Sequence, residues 1–350
     1  MPLGMLPLLF AFVAPEAGAA QMTDLPPRLR GDAGITYRFG RLSGGLVEDG
    51  TRVGSRLLET HEVLYGGVFS VGPGIGVFAE AEQVALERVS FPSANRMAYD
   101  PSGVHAGTMV GTDPLEPLPM REGSGFQGVW LGLRGTPFSE AFPRRKNRAT
   151  WMLEAAWRTA NATPFWTVSG GSRGAGEGGN AWRVATAFST RKGAGEPYMG
   201  ASWTHTGPFT TNLQDAAGAV TAEGVELDGP DVLDIRSGIE FVAGEKADGR
   251  RLGIDLGIGV TYRTWEVIPS GILLPETLAL TRSTPVTGAE ATSARAGLAF
   301  HWRVLQAVQV DLGGNVGWVV PHAIEHPYPV LTGSDTLDLQ VFAGLKARGR

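Results

Sequence analysis

Residues 252–265 read LGIDLGIGVTYRTW. Leu252, Ile254, Leu256, Ile258, Val260 and Tyr262 fall on even positions, while Gly253, Asp255, Gly257, Gly259, Thr261 and Arg263 fall on odd ones. A β-strand turns successive side chains to opposite faces, so a period of two separates an apolar face from a polar, glycine-rich one. A helix would spread the same residues around its axis. The pattern returns toward the C-terminus. Ala294, Ala296, Leu298, Phe300, Trp302 and Val304 alternate with Arg295, Gly297, Ala299, His301 and Arg303. Val308, Val310, Leu312, Val316 and Trp318 alternate with Gln309, Asp311, Gly313, Asn315 and Gly317, and Leu337, Leu339, Val341, Ala343 and Leu345 with Asp338, Gln340, Phe342, Gly344 and Lys346.

Working outward, weaker strands are predicted near 34–43, 56–71, 74–88, 125–135, 149–160, 181–192, 196–206 and 232–244, which brings the count to twelve. Ten or fourteen remain open, because the first two segments can pair differently. A soluble β-sandwich also alternates, with its apolar face turned inward. Three features favour a membrane barrel instead. Long connections at 89–124, 162–180, 207–231, 266–291 and 321–335 are separated by tight links at Gly72-Pro73, Gly193–Gly195, Glu245–Arg250 and Leu305-Gln306, with 136–148 as the exception. Trp151, Trp182, Trp203, Trp265, Trp302 and Trp318 lie toward strand ends, where interfacial girdles use them. The polar face is rich in glycine and in charges of both signs, which a dry sandwich core would not tolerate. The expected fold is all-β: a single antiparallel transmembrane β-barrel of about twelve strands, with short periplasmic turns, long outer loops and both ends on the periplasmic side.

Composition sets the outer bounds. The chain has 350 residues, 50 glycines, no cysteine and a formal charge of −5. It is too apolar for a disordered protein, and the acidic balance speaks against a nucleic-acid-binding domain. Without cysteine there is no disulfide scaffold, thiolate zinc site or cysteine nucleophile. Residues 1–20 read as a signal peptide, with the apolar run Leu6 to Ala14 followed by the small residues Ala17–Ala20, although no Lys or Arg precedes the run. Residues 21–33 form a short lead and 34–347 the barrel. No stretch of 18 uninterrupted apolar residues follows, so no transmembrane helix is expected.

On this architecture the chain resembles Gram-negative outer-membrane β-barrel proteins, porin-like in the broad sense, over residues 34–347. The resemblance implies an outer-membrane location and contact with outer-membrane lipids. A fainter resemblance, to myxobacterial outer-membrane barrels, some of them parts of gliding machinery, rests on 161–198, where a strand end at Asn161, the tip GGSRGAGEGG and the return to Glu196-Pro197-Tyr198 follow one another. One departure concerns the C-terminus. Such barrels usually end in an aromatic residue, whereas here the last aromatic is Phe342, on the expected inner face.

Several motifs invite a chemical reading. Gly174 to Gly179 has the spacing G-x-G-x-x-G, but a strand rather than a helix follows, so a glycine-rich loop is expected and not a nucleotide site. Asp228, Asp231 and Asp234 cluster without the spacing of a calcium loop. His322 and His326 are flanked by Pro321 and Pro327, which argues for a loop rather than a zinc-binding helix face. His205 and His301 lack an evident serine partner, and Asn161-Ala-Thr163 is a chance sequon. No catalytic residue, metal or cofactor is assigned.

The inner-face charges are the most informative constellation. Arg134, Arg158, Arg183, Arg191, Arg236, Arg263, Arg295 and Arg303 are set against Glu80, Glu82, Glu154, Asp234, Glu240, Asp255, Asp311 and Asp338. These groups either oppose one another across a wet pore or pair and fill it. The inner glycines Gly253, Gly257, Gly259, Gly313 and Gly317 lean toward open space, although strand curvature also uses glycine. The expected function is a passive or weakly selective channel for ions or small polar solutes, lined by these charges, with 89–124 as a candidate inward plug or constriction. The alternative is a non-conducting structural barrel that binds a surface or periplasmic partner, with motility as one context.

Overall fold

The computed structural model describes residues 25–26, 28–48, 51–90, 121–139, 149–164, 168–169, 172–176, 178–214, 218–246, 249–264, 267–269, 285–287, 290–324 and 331–349. Twelve long strands form its wall: β1 (Gly31–Glu48), β2 (Thr51–Gly72), β3 (Ile75–Ser90), β4 (Arg121–Phe138), β5 (Thr150–Arg158), β6 (Ala181–Ser189), β7 (Gly195–Thr206), β8 (Asp231–Glu245), β9 (Arg251–Arg263), β10 (Ala291–Leu305), β11 (Val308–Val319) and β12 (Leu331–Arg348). Each pairs antiparallel with its neighbours in the chain, and β12 returns to pair with β1, Ile35 standing opposite Leu345. The sheet therefore has no edge. Closure satisfies the backbone of every wall strand without water, which is the condition for crossing a bilayer with strands.

The alternation seen in the sequence becomes a two-sided wall. Ile258, Leu256 and Val260 on β9 are 66%, 48% and 46% exposed, while Asp255 and Arg263 on the same strand are 6% and 3% exposed. Leu337, Leu339, Val341 and Leu345 on β12 face outward in the same way, between the inward Asp338, Gln340 and Phe342. An apolar band of this size facing water would aggregate, and facing lipid it is matched. Aromatic residues mark both rims of the band. Trp151 stacks on Phe138 near the short turns, with ring centroids 6.0 Å apart, and Trp302 lies outward at the same end. Trp157 and Trp182 meet near the long loops, where Trp203 and Trp318 also face outward. Trp265 lies outside the described residues.

The turns follow the expected asymmetry. β2 and β3 are joined at Pro73-Gly74, where Gly74 takes a φ of 71°, and β10 and β11 at Gln306-Ala307. The start of β1, the end of β12 and these short links share one end of the barrel; the long link between β4 and β5 at that end and the two-residue link between β1 and β2 at the other are the exceptions. β1 and β2 run longer than the sequence suggests, 18 and 22 residues, because their pairing continues past the apolar band, where no alternation is needed. Most of 89–124, the expected plug or constriction, lies outside the described residues, as does the expected signal peptide at 1–20.

The inward glycines do not open space. Large neighbouring side chains lie over them. A methyl group on Gly132 would sit 2.5 Å from the Phe78 ring, one on Gly313 2.5 Å from the Phe342 ring, and one on Gly257 2.9 Å from the Tyr198 hydroxyl. Glu240 covers Gly253, and Arg295 covers Gly259. The expectation of a roomy inner face is therefore corrected: each of these five glycines is a seat for a side chain folded down from a nearby strand.

Candidate functional site in the barrel interior

All fifteen strand-borne charges singled out as lining residues point inward, and most are buried. Arg191 is the correction. It sits at the turn after β6, 38% exposed, and pairs with Glu245 at the end of β8 at 2.7 Å. The pair lies beyond the apolar band, and the hydrogen bond from Arg191 holds the Glu245 carboxyl below the usual carboxylate range.

The inward charges form mixed clusters. On β1 to β3, Arg38 pairs with Glu62 and reaches Glu82 at 3.5 Å. On β3 to β6, Arg134 donates to Glu154 at 2.5 Å and Arg183 bridges Glu154 and Glu80, each at 2.8 Å. Both guanidiniums stand over the Phe78 ring, and Arg183 and Arg158 share the face of Trp130 at 4.8 and 5.6 Å. Such stacking holds a guanidinium flat against the wall.

Across the barrel, Arg251 pairs with Glu240 at 2.8 Å and Glu196 at 3.3 Å. Nearby, the Tyr198 hydroxyl donates to Asp255 at 3.0 Å, and His301 Nδ1 lies 2.8 Å from Asp311, which Lys346 also approaches at 3.3 Å. Farther toward the long loops, Asp234 accepts from Arg236 and Arg295, each at 2.5 Å, and from Thr261 at 2.7 Å. Arg263 is inward at this level, Arg303 is inward opposite Gln309, and Asp338 accepts from Gln340 at 3.3 Å. A cavity of about 20 Å³, bordered by Tyr198, Arg236, Asp255 and Arg295, has room for one water.

Acids and arginines thus interleave around the wall: Glu62 on β2 meets Arg38 on β1, Glu80 on β3 meets Arg134 on β4 and Arg183 on β6, and acids on β7 and β8 meet arginines on β9 and β10. Of the two arrangements compatible with the sequence, the structure builds the paired one and not two opposed walls. The sequence reading missed Arg38, Glu62, Glu196, Arg251 and Lys346 as partners. Arg251 shares the parity of Asp255 and was legible on that signal alone. The remaining candidates are dispersed: Asp231 lies beside His205 at 2.6 Å while Asp234 faces inward, and among the described residues no group of three or more His, Asp or Glu could hold a metal. His326 lies outside the described residues.

No protein-family description and no curated protein matches the sequence. Solved structures do. An outer-membrane channel from Pseudomonas putida F1 aligns over 94% of this chain and all of its own, with a TM-score of 0.54 and 10% identity. A Pseudomonas aeruginosa FadL homologue aligns over 91% of this chain and 90% of its own, with a TM-score of 0.41 and 10% identity. The TodX monoaromatic hydrocarbon channel aligns over 95% and 92%, with a TM-score of 0.40 and 10% identity. The first likeness and the apolar outer wall place this fold among the closed β-barrels of Gram-negative outer membranes.

Proposed function

We propose that the barrel is a narrow, weakly selective channel for ions and small polar solutes, its outer wall in contact with the membrane lipids. The observation that carries this reading is an interior made polar and charged on strands from every side of the wall. Buried ion pairs contribute little net stability, and apolar replacements of similar volume are often neutral or stabilising. A barrel that needed only to hold together would fill more simply with apolar side chains. Ion pairs that can exchange partners with water leave a route for polar traffic, and the mixed signs give weak preference between cations and anions. The Pseudomonas putida barrel of the same fold, a channel by its description, supports the reading by analogy.

The test is single-channel recording of the folded chain in a planar bilayer, with folding confirmed by a heat-dependent shift in gel mobility. Discrete conductance steps with a small reversal potential in a salt gradient are expected. A folded barrel without steps would overturn the reading.

A second reading has its own observation. The hairpin of Phe209–Gln214 and Val220–Leu227, on the long-loop side, carries a small core of Leu213, Val225 and Leu227. A structured outer platform suits a non-conducting barrel that holds a surface partner, and absence of conductance would favour it.

A further inference from the structure

The stretch GGSRGAGEGG at 170–179, expected as a loop tip, is not an exposed tip where it is described. Ala175, Gly176, Gly178 and Gly179 are buried. Their position follows from the inner face of β4. There Gly123 and Gly125 stand opposite Glu87 and Val84, two buried inward residues of β3, so both glycines face the lumen. A methyl group on Gly125 would meet the Ala175 nitrogen at 3.1 Å, so Ala175 lies on the lumen side of the wall. Next along β4, a bulge with Gly128 at φ 96° directs Gln127 inward, and its Nε2 donates to the Ala175 carbonyl at 2.6 Å. Gly176 N donates to the Thr163 carbonyl at 2.7 Å, and Arg158 Nη2 donates to the Gly178 carbonyl at 3.3 Å. Gly125, Gly174 and Gly176 allow this approach because none carries a Cβ, and Gly178 and Gly179 adopt φ of 70°.

We propose that this strap, Ser172–Gly176 with Gly178–Asn180, is the size-limiting constriction of the conduction path, an assignment that rests on the channel reading above. The strap crosses the inside of the wall rather than the outer surface. Its glycines present backbone N–H and C=O dipoles where most of the interior presents charged side chains. A glycine strap at the narrowest point would limit solutes chiefly by size, so the class admitted is small hydrated ions and compact uncharged polar molecules.

Two variants and a thiol probe test this. Gly125→Val places a branched side chain where Ala175 sits, and Gln127→Ala removes the donor that holds the Ala175 carbonyl. The chain has no cysteine, so Ala175→Cys supplies a unique thiol whose reaction with a charged methanethiosulfonate reports the position of the strap without any current. In the otherwise unchanged barrel that thiol should react slowly, and with either variant faster. Both variants should raise single-channel conductance by about twofold or more with little change in reversal potential. A thiol that reacts faster while conductance stays the same would overturn the constriction and leave the channel reading standing. A thiol that stays protected in both variants, or is open from the start, would overturn the assigned position of the strap. Folded barrels that never conduct, with or without the substitutions, would overturn the channel reading and the constriction with it. Gly72→Ala, at a wall position with nothing within 4 Å, controls for glycine replacement as such.

Discussion

The Arg183 guanidinium lies 2.8 Å from Glu80, a residue 103 positions earlier in the chain and three strands away around the wall. The same guanidinium holds Glu154, whose side chain is 4% exposed. Removing it leaves two inward carboxylates competing for Arg134. Arg183→Ala should therefore lower stability by about 3 kcal/mol, the usual effect of leaving a buried charge without one of its partners. The urea midpoint for unfolding from lipid vesicles measures it. A shift too small to resolve would mean that water solvates this cluster freely.

The pair at the rim should behave differently. Arg191 and Glu245 are 38% and 44% exposed, so Arg191→Ala should change stability by less than about 1 kcal/mol. The Glu245 carboxyl is held below its usual range, so its contribution is present at neutral pH and fades as pH falls through the folded value. Any difference between the variant and the parent should thus narrow in acid. A difference that widened on acidification would reverse the assignment.

Phe78 and Gly132 make a steric prediction. The ring occupies the place a side chain at 132 would need, so Gly132→Val should destabilise the barrel by about 1–3 kcal/mol through overpacking. Adding Phe78→Ala should recover part of that loss, because the two substitutions share one space. Heat-dependent mobility on gels would compare the single and double variants. Additive losses would show that the ring is not seated on this glycine.

On the other side of the wall, Ile258 is the residue to change. It lies mid-strand on β9 and is 66% exposed. Ile258→Arg should weaken folding into vesicles by about 2–4 kcal/mol, whereas the same change beyond the apolar band should do little. Equal tolerance at both places would argue against a lipid-facing wall.

Much of this architecture was legible in the chain. Leu252 to Tyr262 and Leu337 to Leu345 announced their faces, because only a strand sorts alternate residues onto one side and a single slip would reverse every one of them. Alternation also assigned Asp255, Arg263, Arg295 and Asp338 to the interior. It failed on β2, where Leu58 and Val68 face inward while Tyr65 and Phe69 face outward, so both faces are apolar and Glu62 carried no signal. The glycine-rich segment misled for a related reason. Glycine permits both an open turn and a close approach, and its neighbours in sequence do not say which.

Alternation along the chain settled that these segments are strands and on which face the charges of the clearly alternating ones lie, because side-chain period is a property of the local backbone. Which charges meet is set by the closed wall. Glu80 finds Arg183, Arg251 finds Glu240, and Ala175 finds Gln127 because the wall closes on itself and staggers its strands as it does. Register around a closed barrel depends on all the turns and on closure together, so no single segment of the chain carries it.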